Sequence, residues 1–364
     1  MSGPIRSGTM TPRQRVLAAM RRQPPDRVPR ELSWGAFTPA LMEVFRQRTG
    51  ADDPAEYFGF EARSVSFRTP APATDYRRYH ADLPPDATID TWGVASVAGS
   101  TYHFRRRFPP LASAQTAAEI ADYPLPDYMA PHYHAHLDAA VAALHARELA
   151  SMGELVTTIF EISWALRGMV ELLTDMVLRP ELAEVLLERI TALRCAQARR
   201  YALAGVDILR LGDDVGTQRG MLMSPALWRE WLKPRLARII AAARAVKPDI
   251  LIFYHSDGDC RAIIPDLIEI GLDILNPVQP ECMDPAEIKA LYGDRLAFWG
   301  TVGTQTTFPF GTPDEVRAMV RQRIATVGRG GGLLLAPTHI LEPEVPWENV
   351  LAFFQAIDEY EEDA

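Results

Sequence analysis

The chain has 364 residues, more than a usual single domain yet within reach of one α/β barrel with insertions, so a single large domain over 1–364 is expected. Its 48% apolar and 23% charged composition excludes a disordered chain, and a net charge of −9 without long like-charge runs argues against nucleic acid or an anionic membrane as the main partner. Cys195, Cys260 and Cys282 form no CxxC pair, "MSGPIRSGTM" reads as no secretory signal, and no stretch nears the ~20 apolar residues of a membrane span; a reduced, cytoplasmic protein acting on small molecules is expected.

"MTPRQRVLAAMRRQPPDRVP" predicts a short opening helix, with Thr11 and Pro12 at its start, Val16, Leu17 and Met20 on one face and Pro24 and Pro25 at its end. "RVPRELSW" follows as a strand candidate, and Trp34 at its end is a candidate substrate contact. Between 61 and 131 prolines, aromatics and arginines loosen the pattern, with two short strands around "TIDTWGVASV" and "TYHFRRRF"; this stretch reads as an insertion or lid. From Pro131 the chain alternates. Helices over 133–150, 180–204 and 225–246 precede the apolar runs "ELVTTIFEI", "VDILRLGDD" and "DILIFYHSDGD"; "CRAIIPDLIEIG" leads to "DILNPVQP", "PAEIKALYG" to "RLAFWGTVG" and "PDEVRAMVRQRIATVG" to "GLLLAPTH". Short buried strands alternating with amphipathic helices indicate parallel β/α construction, and seven or eight of them favour a closed (β/α)8 TIM barrel over an open sheet. No GxGxxG or GxxxxGK[ST] occurs, and "GRGGGLL" precedes a strand, where a helix C-cap and turn is its ordinary role.

Active-site groups of such barrels lie at the C-terminal ends of the strands. There the sequence places Glu161, Asp213 and Asp214 with Gln218, His255 and Asp257, Gln279, Thr304 and Gln305, and Thr338 and His339. Glu161, Asp214 and His255 are candidate catalytic groups; Gln218, Gln279, Gln305 and Trp34 are candidate substrate contacts. Polar groups ending the buried run "ILIFY" need a partner, and His255, Asp257 and His339 have the donor chemistry of a catalytic divalent metal site; the plainer reading of His-Ser-Asp alone is a hydrogen-bonded structural pair. The histidines of "PHYHAH" read as surface or inter-helix groups. Arg105 to Arg107 suit either a substrate carboxylate or phosphate or a solvated lid face, and Cys260 reads as a small buried residue before a ligand or thiol.

"LRLGDDVGTQRGMLMSPALWREWLKPRLARII", "HSDGDCRAIIPDLIEIGLDILNPVQP", "FWGTVGTQ" and "GGGLLLAPTHILEPEVPWENVLAF", with the opening helix, resemble the uroporphyrinogen decarboxylase superfamily. The resemblance implies a (β/α)8 barrel with its cleft at the strand C-termini, and a homodimer. The decarboxylase's own RQAGR-type loop and FSDIL-type segment have no counterpart here. In the zinc-containing methyltransferase branch, zinc sits on a His-x-Cys pair and a later Cys in an APGC-like context. Laid on this chain, those positions fall on His255, Asp257 and His339: metal-binding capacity stays and the thiolates go. A harder set of donors suits an oxygen or nitrogen substrate better than a thiol. The resemblance therefore implies a Zn2+ or other divalent ion, with methylcobalamin or another corrinoid supplied by a separate protein. The leading expectation is a metal-dependent methyltransferase moving a methyl group between a small molecule and a corrinoid protein. The alternatives are a decarboxylase or lyase acting on a small carboxylate, and a non-catalytic barrel binding a cobamide or tetrapyrrole.

Overall fold

The computed structural model describes residues 10–35, 37–99 and 105–362. The stretch read for a secretory signal, except Met10, and residues 101–104 of the second lid strand lie outside the described residues. In chain order the strands are β1 (Ala62–Val65), β2 (Thr88–Ile89), β3 (Ala95–Ala98), β4 (Arg105–Phe108), β5 (Ala150–Val156), β6 (Ile208–Gly212), β7 (Gly216–Thr217), β8 (Gly220–Met221), β9 (Leu251–His255), β10 (Ile274–Asn276), β11 (Ala297–Val302) and β12 (Leu333–Pro337).

Seven of them form one curled parallel sheet in the order β1-β5-β6-β9-β10-β11-β12, with helices between successive strands. "RVPRELSW" takes the eighth place beside β12, but as a single bridge between Arg30 and Leu335 rather than a strand. Pro29 accepts from Leu335 N–H at 2.9 Å and Glu31 N–H returns a bond to the Leu335 carbonyl at 3.1 Å, but Pro29 has no N–H with which to extend the ladder backward. β1 falls at the start of the stretch read as an insertion, while β2, β3 and β4 form a separate antiparallel sheet within it. The helix expected over 225–246 is two, Pro225–Trp231 and Lys233–Arg244, because Pro234 withholds the N–H that would continue the first. That expected over 133–150 runs Leu137–Ala146, preceded by a 3-10 turn at Pro131–Tyr133. Gly330, Gly331 and Gly332 all have left-handed φ in the turn before β12.

β6, β9, β11 and β12 are buried along their whole length, as parallel strands covered on both faces must be. Their alternation still divides two cores. Leu209, Leu211, Ile252, Tyr254 and Leu275 pack outward with the helices, whereas Ile208, Phe253, Ile274, Trp299, Leu334 and Ala336 face inward with Val16, Ala19 and Met20 of the opening helix, Pro12–Met20. That helix plugs one end of the barrel. Thr11 caps it reciprocally with Gln14, and Arg13 forks onto buried Asp207 at 2.7 and 3.0 Å just before β6. The opposite end, where the strands finish, stays accessible.

Candidate metal centre

Inward parity decides which side chains reach that end. Continuing Leu251 and Phe253 by two residues gives His255; continuing Ile274 gives Asn276; continuing Ile208 gives Arg210 and then Gly212. His255 and Asn276 are register partners on neighbouring strands, as are His255 and Gly212. Gly212 is glycine for want of space: a Cβ there would lie 2.6 Å from the His255 Cβ.

His255 is 4% exposed, so its imidazole needs partners. Nδ1 meets Asn276 Oδ1 at 2.5 Å. Nε2 faces Asp214 Oδ1 at 3.5 Å and Asp257 Oδ1 at 3.9 Å, beyond ordinary hydrogen-bond length. Each of the three residues offers a ligand atom, and these atoms all lie within 4.8 Å of one another. Ligands sharing a tetrahedral zinc at ~2.0–2.2 Å sit roughly 3.4 Å from each other, so one nitrogen and two carboxylate oxygens fit a divalent ion with small adjustments. The two aspartates are half-exposed, which leaves the far side of the cluster open.

The loops are built to bring these carboxylates together. Asp213 accepts from the N–H groups of Ile159 and Glu161, at 2.9 to 3.1 Å, at the start of helix Phe160–Arg167; Glu161 in turn accepts from Asp214 N–H at 3.2 Å, and Asp214 from Asp257 N–H at 2.8 Å. The concentration of negative charge is costly. Burial, and then Asp214 and Asp213, push the Glu161 carboxyl up to about 8. Burial lifts Asp213 to about 6 against its backbone donors, and burial also raises Asp257, where the charges of Asp214 and Glu281 oppose the help of His255 and His339. A bound cation reverses this local penalty.

A cavity of about 360 Å³ stands over the cluster, lined by Asp214, Asp257, Thr304, Gln305, His339 and Glu342 among others. A larger cavity, about 1080 Å³ beside helix Pro313–Thr326, shares Gln305 with it but none of the acidic or histidine ligand candidates.

The expected site residues separate as follows. Asp214, His255 and Asp257 converge, with Glu161 directly behind Asp214. His339 faces the same cavity but lies outside the three-residue cluster, because inward parity on β12 runs through Leu334 and Ala336 to buried Thr338. Trp34 meets His255 edge-on with ring centroids 5.1 Å apart and covers the Arg210 guanidinium at 4.2 Å. Gln279 is 5% exposed and accepts from Gly258 N–H at 3.1 Å, holding the loop after β9. Gln218, beside the β7–β8 hairpin, accepts from the Cys282 thiol at 3.3 Å, and Gln305 lines the cavity. Asn276 and Glu281 are the neighbours sequence reasoning passed over; the alternation "ILN" in β10 carried the signal for the first.

The remaining motifs go elsewhere. His134 and His136 pair with the Met129 and Ser66 carbonyls. Cys260 is buried and burial pushes its thiol up to about 12. Arg105 bonds across to Ser96 and Thr88, while Arg107 stacks 4.8 Å over Trp164 of helix Phe160–Arg167. No described helix is long and apolar enough to cross a membrane.

Residues 11–360 match the uroporphyrinogen decarboxylase (URO-D) family model, and the chain belongs to that family. It is 30% identical over 182 residues to a protein of Methanosarcina barkeri named methylcobamide:CoM methyltransferase MtaA, covering 50% of each chain. It is 23% identical over 188 residues to the uroporphyrinogen decarboxylase of Coxiella burnetii (strain Dugway 5J108-111), covering 50% of this chain and 48% of that one. The chain thus spans about half the length of the curated relatives it matches. A solved methyltransferase from Methanosarcina mazei superposes with a TM-score of 0.66 at 20% identity, covering 96% of this chain and 99% of that one, and shares the barrel fold.

Proposed function

We propose that this protein is a metal-dependent methyltransferase that moves a methyl group between an oxygen or nitrogen atom of a small molecule and the cobalt of a corrinoid carried by a separate protein. The observation that carries the reading is the convergence of His255 Nε2, Asp214 and Asp257 at the accessible end of the barrel, beside a cavity large enough for a small substrate. The likeness to a methylcobamide-using methyltransferase supports the corrinoid half of it.

His255, Asp214 and Asp257 would hold the ion, Zn2+ or another divalent metal, and Asp214 takes the place in that set expected for His339. When bound, the ion supplies Lewis acidity, drawing charge from the substrate heteroatom so that the carbon–heteroatom bond breaks with its pair left on that atom. The corrinoid, bound by its own protein as co-substrate, would supply the electron pair that takes up the methyl carbon. The chain's own residues position the partners. Glu161 holds the Asp214 backbone, Trp34 packs the His255 ring, and Gln305 and His339 line the substrate cavity. Gln279 fixes the loop carrying Asp257. The described residues of the stretch 61–131 that follow β1, tied to the barrel through Arg107 on Trp164, act as a lid and set specificity. A donor set without thiolate disfavours a thiol substrate.

The test uses zinc-loaded full-length protein with methylcobalamin as the corrinoid probe, following the cobalt–carbon bond by visible absorption while methyl acceptors with O–H or N–H groups are supplied. Acceptor-dependent loss of methylcobalamin that disappears in Asp257→Ala supports the reading. Carbon dioxide release from a small carboxylate without corrinoid, and no change at cobalt, overturns it in favour of decarboxylation.

A further inference from the structure

We infer that Asn276 is a positioning residue that sets which nitrogen of His255 faces the metal site. This rests on the proposed metal site and adds to it a residue outside the ligand set. Asn276 is 3% exposed, ends β10 and stands in register opposite His255. Its two amide ends face different partners. One lies 2.6 Å from the backbone carbonyl of Trp299 on β11. A carbonyl only accepts, so that end is the NH2 group, and the other end is the oxygen. The oxygen meets His255 Nδ1 at 2.5 Å and, being an acceptor, requires a proton on Nδ1.

A neutral imidazole protonated at Nδ1 has its lone pair on Nε2, and Nε2 is the atom facing Asp214 and Asp257. The carbonyl of β11 therefore orients the amide of β10, and the amide sets the tautomer of the histidine on β9. Trp34 packs the same ring from its edge and keeps it from rotating away. Asparagine is short enough to sit between two adjacent strands and carries both a donor and an acceptor. Leucine has neither, and aspartate keeps the acceptor alone.

The comparison of Asn276→Leu with Asn276→Asp separates this role from a structural one. Asn276→Leu loses both bonds; Asn276→Asp, when ionised, loses the bond to Trp299 and keeps an acceptor for His255. The measurements are 15N NMR of the His255 ring in metal-free, histidine-labelled protein and Zn2+ affinity by chelator competition, with thermal melts to select folded variants. Wild type is expected to show protonated Nδ1 and bare Nε2, and Asn276→Asp to keep Nδ1 protonated. Asn276→Leu is expected to shift toward protonated Nε2 and to lose about 10- to 100-fold in Zn2+ affinity, the range for removing a partner of a ligating histidine. The inference is overturned if folded Asn276→Leu keeps the wild-type tautomer, or if both variants lose affinity alike. If Asn276→Leu does not fold, Asn276→Asp decides alone: a bare Nδ1 with the proton on Nε2 there also overturns it. Wild type that takes up no Zn2+ defeats the proposed metal site, while the ring tautomer still tests Asn276.

Discussion

Gly212→Ala perturbs the site without touching any ligand, acceptor or charge. The added methyl would lie 2.6 Å from the His255 Cβ and 2.8 Å from its carbonyl oxygen, where ordinary contact begins at 3.4 Å. Relief requires β9 and β6 to separate by the difference between 3.4 and 2.6 Å, about 0.8 Å, at His255. Metal sites tolerate about 0.2 Å in ligand distance, and functional constellations about 0.5 Å. The displacement exceeds both. Overpacking of this kind costs about 1–3 kcal/mol of stability, so the variant should fold and melt several degrees lower. Gly212 has no left-handed φ, so backbone strain does not confuse the result. The assay pairs thermal denaturation with Zn2+ titration, and affinity should fall at least tenfold while all three ligands remain. A folded Gly212→Ala that binds Zn2+ as wild type does would refute the packing argument and the placement of His255 in the site.

Glu31, fully buried, is lifted by burial to about 7, with Arg210 and the Trp299 indole only partly offsetting. A carboxyl whose folded pKa exceeds its unfolded value costs nothing while protonated in both states; its penalty grows from about pH 4.5 to about 7 and stays above that, reaching about 3 kcal/mol. Glu31→Gln keeps an acceptor for Trp299, so its melting temperature should exceed wild type at pH 8 and match it at pH 4.5; an equal difference at both pH values would contradict this. Asp207 behaves oppositely: burial raises it, but Arg13 and its other donors outweigh burial and hold it below its usual 3.8. Its contribution is complete above about pH 4 and lost as pH falls through the lowered value, so Asp207→Asn should cost about 2 kcal/mol at pH 7, with the gap narrowing as pH falls below 3.8 in melts followed by circular dichroism.

The barrel was legible because each strand is a short apolar run after an amphipathic helix, and the same parity that buries Phe253 points His255 inward. Two pieces escaped for physical reasons. "ARSV" of β1 has too little apolar character to announce a barrel strand, and Pro29 leaves the first expected strand a single bridge. The site was less legible than the fold. Asp214 reaches His255 through a loop whose course depends on Glu161 and on Asp257 N–H, contacts 53 and 43 residues away in sequence that no local pattern encodes. His339 stands where the resembled motif has a cysteine, but strand parity passes through Thr338 instead, so His339 lines the cavity and lies outside the cluster.

The most direct measurement is the metal content of purified protein, by elemental analysis of wild type, His255→Ala, Asp257→Ala and His339→Ala after incubation with Zn2+ and desalting. About one ion per chain in wild type, lost in His255→Ala and Asp257→Ala but largely retained in His339→Ala, is the expected result. Wild type without metal, or metal retained in both His255→Ala and Asp257→Ala, would contradict the assignment of this cluster as the metal centre.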